Sequence, residues 1–227
     1  MALPVLIIGP SGSGKTYSLK NFKPEEVGII SVEKGRLPFR STMRTIRVPT
    51  TFSPEEMRSE KSINAAKYKW IQNVIAKATK KAIVIDDSQY LLVNELFDRS
   101  NEVGYSKFTD MAKNFRDLIH FINNLPDDNK IVYFLHHSEL DGDGRAKAKT
   151  IGRMLDEKLT IEGCFDIVLY CRDHKFFTQA NETSIAKTPD EMFETIEIPN
   201  DLKIVDAAIR DYYGMNEVED AKKGKEA

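Results

Sequence analysis

Short, mostly apolar runs recur along this chain and are separated by longer stretches of mixed polarity. The runs are Pro4 to Ile8, Val27 to Glu33 (Val-Gly-Ile-Ile-Ser-Val-Glu), Lys81 to Asp86, Ile131 to Leu135 and Phe165 to Tyr170. Runs of this length without polar alternation predict strands covered on both faces. Between them the period changes. Ile63, Ala66, Trp70, Val74 and Ala78 recur at helical spacing and predict a helix over about Ser62 to Lys80, with Trp70 on its packed stripe. Phe108, Met111, Phe115, Leu118 and Ile122 predict a second helix ending near Pro126, with His120 off the stripe and exposed. Asp201 to Tyr213 reads as a final helix capped by Asn200 or Asp201. Short β-rich pieces are expected around Lys175 to Ala180, Ser184 to Lys187 and Phe193 to Ile198. Gly35 to Pro54 holds Arg36, Arg40, Arg44 and Arg47 and reads as an irregular surface excursion with a solvated basic face. No internal repeat is present.

Strands alternating with helices predict an α/β fold: a mostly parallel sheet with helices on both faces. In such sheets ligands bind at the carboxyl ends of the strands. Gly9 onward, Glu33, Asp86, His136 and His137 all fall at predicted strand ends, which points to one shared site. Residues 1–215 are expected to form one domain. Residues 216–227, charged and poor in apolar side chains, are expected to be a disordered tail.

Composition narrows the function classes. Apolar residues make up 41% of 227, enough for a sizeable core, and the charges nearly cancel at net −2. That excludes a protein basic all over, so nucleic acid would need a local basic patch. Cys164 and Cys171 fit no C-x-x-C pattern and are expected as reduced thiols in a cytoplasmic protein. No apolar run approaches ~18 residues, so no membrane span is expected, and neither is a secretory leader.

The most specific chemistry lies in Gly9-Pro10-Ser11-Gly12-Ser13-Gly14-Lys15-Thr16, which fits the phosphate-loop pattern G-x-x-x-x-G-K-[ST] between a strand and a predicted helix from Thr16 to Phe22. The loop's backbone N–H groups cradle phosphates, helped by the helix's positive end. Lys15 is expected on the β- and γ-phosphates and Thr16 on Mg²⁺; Tyr17 follows directly and is counted with the nucleotide site. Asp86, closing an apolar strand, is the expected second Mg²⁺ group. Asp87 is expected to polarise water, contact a neighbour or cap the next helix. Val27 to Glu33 is read as the strand that separates the phosphate loop from the acidic strand, bringing Glu33 out beside the phosphates. Glu33 can there orient and deprotonate an attacking water. One of His136 and His137, with His137 preferred, is expected to face the γ-phosphate, since side chains alternate along an extended chain. Asp141-Gly142-Asp143-Gly144 begins like a calcium loop, but the third aspartate is missing and position twelve is Gly152, so that reading is rejected.

This order of loop, Ser31-Val32-Glu33 and Asp86 resembles the RecA/RadA/DnaB branch of ATPases. With Phe165 to Tyr170 and Thr183-Ser184-Ile185-Ala186-Lys187-Thr188, the chain resembles phage-encoded RecA-like ATPases of the single-strand annealing and recombination-mediator type. The resemblance implies Mg²⁺-dependent ATP hydrolysis coupled to single-stranded DNA, a homo-oligomer with ATP sites between subunits, and host cytoplasm as location. It implies that Glu33 is catalytic and that Lys187 reaches the γ-phosphate of a neighbouring subunit. It also implies that the loop after the sensor strand faces DNA; Arg145, Lys147, Lys149 and Arg153 lie there, between flexible glycines. Alternative readings are a nucleotide-dependent assembly factor or loader that binds proteins and no DNA, and a P-loop small-molecule kinase. The kinase is disfavoured by the absence of an arginine-bearing lid. A GTP switch is disfavoured because Asp86-Asp87-Ser88-Gln89 lacks D-x-x-G and no N-K-x-D occurs.

Overall fold

A computed structural model describes residues 1–33, 36–58, 60–152, 156 and 159–215. Its centre is a nine-stranded, mostly parallel sheet. The strands are β1 (Leu3–Gly9), β2 (Val27–Ser31), β3 (Thr45–Arg47), β4 (Ala82–Asp86), β5 (Ile131–Leu140), β6 (Ala146–Ala148), β7 (Ile167–Arg172), β8 (Lys175–Phe177) and β9 (Glu197–Pro199). They lie in the order β3-β2-β4-β5-β1-β7-β8-β9, with β6 paired to β5. β1, β2, β3, β4, β5 and β7 run parallel; β8 and β9 continue the sheet antiparallel, and β6 folds back on β5 as a hairpin.

The unbroken apolar runs follow from this order. β1 sits between β5 and β7, and its alternate residues enter two separate cores. Leu6 and Ile8 face one with Ile83, Ile85, Val132 and Phe134; Val5 and Ile7 face the other with Val84, Tyr133 and Leu135. The first core is closed by α1 (Ile63–Lys77), α2 (Tyr90–Asp98) and α3 (Ser106–Asn123) through Tyr68, Ile71, Leu92, Met111 and Phe115. The second is closed by a short 3-10 helix, Thr16–Asn21, and by α4 (Leu202–Tyr212) through Leu19, Val205 and Ile209. Helices therefore cover both faces, as the pattern predicts. Ser62 caps α1, accepting from the Ala65 N–H, and Asp201 caps α4.

Four features depart from the expectations. β5, not β2, separates β1 from β4, and β2 lies on the far side of β4. The helix after the phosphate loop is six residues of 3-10 geometry, so its dipole is short. The arginine-rich excursion contains β3, which extends the sheet beyond β2. The stretch 141–152 holds a paired β-hairpin rather than an open loop. Trp70 packs against the first core and His120 is exposed, as expected. Both cysteines are free thiols; burial pushes Cys171 up to about 11. Among the described residues no helix is long and apolar enough to cross a membrane. The tail at 216–227 and Arg153 lie outside the described residues.

Candidate nucleotide site

Parallel register sets the site. Gly9 of β1 pairs with His137 of β5, and Ser31 of β2 pairs with Asp86 of β4, so the strand ends come level along one edge. They open onto a cleft of about 520 Å³ lined by the phosphate loop, Glu33, Asp86, Asp87 and His137 together with Tyr17, Arg36, Pro38, Tyr90 and His174. Glu33, Asp86, His137 and the loop, read as one site from strand ends alone, therefore do converge.

The phosphate loop can be built only with glycine at two key points. Gly14 has φ +106°, and a Cβ there would lie 2.3 Å from Asn200 Nδ2 and 2.7 Å from His174 Nδ1. Gly9 lies so close to β7 that a Cβ would meet the Cys171 carbonyl at 2.3 Å. The loop is also held from outside: Asn200 Nδ2 donates to Gly14 O at 3.0 Å and Cys171 Sγ to Ser13 O at 3.3 Å. Lys15 Nζ donates to Gly9 O at 2.7 Å and to Pro10 O at 2.9 Å, curled over its own loop. Its burial lowers its pKa, offset in part by Cys171 and the nearby Asp87 and Asp86.

Thr16 Oγ1 donates to Asp86 Oδ1 at 2.9 Å, joining groups seventy residues apart in the chain. Burial, then the adjacent Asp87, raises the Asp86 carboxyl to about 6. Two crowded carboxylates and a hydroxyl form a hard oxygen set with a deficit of positive charge. Among the described residues no group of three or more His, Cys, Asp or Glu side chains could cage an ion. The Thr16 hydroxyl and the Asp86 carboxylate are oxygen donors of the kind Mg²⁺ takes from a protein, one or two at a time, with water and substrate phosphates completing its shell.

Glu33 Oε1 accepts from Asn94 Nδ2 at 2.7 Å. Asn94 is positioned by α2, which is clamped to α3 where the buried Glu95 accepts from Asn114 Nδ2 at 2.9 Å and from Arg99 at 3.3 Å. The two histidines divide as alternation requires. His137 lines the cleft and its Nε2 contacts Asp87 Oδ1 at 3.2 Å. His136 points into the opposite core against Phe115. Its Nε2 donates to Lys149 O at 2.8 Å, its Nδ1 lies 2.9 Å from Ser88 Oγ, and burial lowers it to about 4, so it is neutral. Of the three expectations for Asp87, contact with a neighbour is the one found. Asp87 adopts φ +60°, turning the chain from β4 toward α2.

Other predicted residues lie elsewhere. Lys187 is exposed and its backbone pairs with Val168, near the start of β7 and away from the cleft, so it does not serve its own chain's site. Arg145 is paired with Asp141 and Asp143, and Lys147 with Glu139 and Asp156. Lys149 is exposed, and its N–H donates to His137 O at 2.8 Å. The sequence reading missed Arg36, Tyr90, Asn94 and His174. His174 lies two residues beyond the end of β7, in the turn that leads into β8, rather than at a strand end itself. Arg36 was hidden among arginines read as solvated, and Asn94 lies on a helix whose short mixed run gave no clear period.

A strand-loop-helix phosphate cradle, an acidic strand end and a polar residue on the strand between them define the fold class of the P-loop nucleoside triphosphatases. A family model described as AAA domain matches residues 1–195, and the chain belongs to that family. Nucleotide binding and ATPase chemistry are general properties of that family. No curated protein matches the chain.

Proposed function

We propose that this protein hydrolyses ATP with Mg²⁺ in the cleft at the end of β1, β4 and β5. The observation that carries this is the Thr16–Asp86 hydrogen bond beneath a complete phosphate loop, with Glu33 on the same cleft wall. Lys15 exchanges its two carbonyl partners for phosphate oxygens. Thr16 and Asp86 would hold the cation, which would supply positive charge against the charge developing on the transferred phosphoryl group. Glu33 accepts a proton from the attacking water, and Asn94 fixes its carboxylate until substrate draws it inward. His137, steadied by Asp87, meets the γ-phosphate side. Lys15→Ala tests the assignment: a folded variant is expected to lose ATP binding and turnover, and an unchanged affinity and rate overturns it.

A coupled action on single-stranded DNA is the second part of the proposal. It is favoured by the bonds from His136 to Lys149 O and from Lys149 N–H to His137 O, which tie the basic hairpin to the strand that faces the phosphates. Any such coupling is reciprocal, so DNA and ATP tighten each other's binding by the same factor.

A further inference from the structure

Beside the phosphate cradle the cleft has an aromatic wall to which the hydrolysis chemistry gives no role. The Tyr17 ring meets Phe39 with centroids 6.1 Å apart and His174 at 5.7 Å, both nearly perpendicular, while Lys20 Nζ lies 4.5 Å from its centroid. Tyr17 and His174 both line the cleft. His174 is held there by an unusual backbone. β7 and β8 are joined by the two-residue turn Asp173-His174, with φ +51° and +55°. Such a turn favours Asn-Gly, and an imidazole-bearing residue in its second position is disfavoured. The turn is seated on the phosphate loop, its His174 N–H donating to Ser13 O at 3.2 Å. A left-handed non-glycine residue at a cleft points to a use for its side chain. The His174 ring nitrogens have no hydrogen-bond partner among the described residues.

Resting on the ATP-site reading above, we propose that Tyr17 and His174 form the nucleobase wall of this site. Phe39 braces Tyr17, and the wall selects purine over pyrimidine nucleoside triphosphates. A flat, polarisable base gains from aromatic contact, and a two-ring base covers more of the wall than a one-ring base. The phosphate loop, by contrast, binds all triphosphates alike. Selectivity therefore has to come from groups beyond the loop: of the aromatic residues lining the cleft, Tyr17 follows the loop directly and His174 is hydrogen-bonded to it, whereas Tyr90 packs on His137.

Equilibrium binding of ATP, CTP and inorganic tripolyphosphate, each with Mg²⁺, separates the wall from the cradle. His174→Gly removes the ring and suits the left-handed turn, so the fold is kept; Tyr17→Leu removes the second ring and Tyr17→Phe retains it. The expected result is about tenfold weaker ATP binding for His174→Gly and Tyr17→Leu, on the scale of losing one base–aromatic contact. Tripolyphosphate binding should stay within about twofold, Tyr17→Phe should bind ATP like the parent, and the preference for ATP over CTP should shrink. Parallel losses for ATP and tripolyphosphate would mean that the rings act on the loop, and the proposal falls. It falls equally if neither variant changes ATP binding, or if the parent binds ATP no better than tripolyphosphate. A parent that binds no tripolyphosphate sinks the phosphate-site reading itself.

Discussion

The phosphate loop and the β5–β6 hairpin are both rich in charge, yet they stand in opposite electrostatic states. At the loop, the charges are unbalanced. Asp86 and Asp87 lie side by side, burial holds Asp86 up at about 6, and Lys15 Nζ donates its hydrogen bonds to the carbonyl oxygens of Gly9 and Pro10 with the two carboxylates nearby. At the hairpin, Arg145 and Lys147 each have two carboxylate partners. The Asp156 partner, with its hydrogen bond from Lys147, is the leading cause holding the Lys147 ammonium above its ordinary value. A site kept unbalanced gains when ligand supplies the missing charge. A surface already paired must give up those pairs before it can contact phosphate.

The largest effect that sharpens this contrast is expected at Glu33. Glu33→Gln keeps the shape and the Asn94 contact but removes the basic oxygen. Single-turnover hydrolysis should slow on the order of 100-fold while ATP affinity stays near the parent's. A parent-like rate would move the base elsewhere, with Asp87 next in line.

Asp86 gives a smaller effect of opposite sign on stability. Its folded pKa lies above the ordinary 3.8, so the ionised form costs stability; the cost is absent below about pH 4 and grows as pH rises through about 6. Asp86→Asn should therefore stabilise the ligand-free protein at pH 7.5 by about 3 kcal/mol, with no gain at pH 4. The same variant should lose its response to Mg²⁺. Thermal melts at the two pH values check the first expectation; a variant less stable at pH 7.5 would show that Asp86 is not held charged at a cost.

The smallest effect is expected at the hairpin. Four basic residues within nine suggested a strong DNA contact, but Arg145 and Lys147 are committed to carboxylates. If single strands bind here, Lys149→Ala should make the log–log salt dependence shallower by about 0.7, the value for one phosphate. Replacing Arg145 and Lys147 together should change it less. If the double variant has the larger effect, the ion pairs open on binding and the contrast is wrong; no change in any variant moves attention to the Arg36 to Arg47 segment.

Legibility followed the range of the interactions involved. The phosphate loop is set by local backbone demands at Gly9 and Gly14 and was readable from spacing, as were β1, β4 and β5 from their apolar runs. The convergence of Glu33, Asp86 and His137 followed from the strand-end rule. Strand order did not: which strand fills the gap between β1 and β4 depends on packing across the whole sheet, and β5 took the place assigned to β2. Partners across distance were hidden too. Asn94 on Glu33 requires α2 to be docked, and the carboxylates that neutralise Arg145 and Lys147 come partly from residues brought near by the hairpin. His174 was missed because nothing local to Asp173-His174 reveals that this stretch turns and folds against the phosphate loop.

The most direct measurement is phosphate release from ATP by the parent and by Lys15→Ala protein, each with Mg²⁺ and with Mg²⁺ chelated. Hydrolysis by the parent that requires Mg²⁺, and none above background for Lys15→Ala, is the predicted result. Equal phosphate release by the two proteins, or release unaffected by chelation, would contradict an Mg²⁺-dependent ATPase centred on this loop.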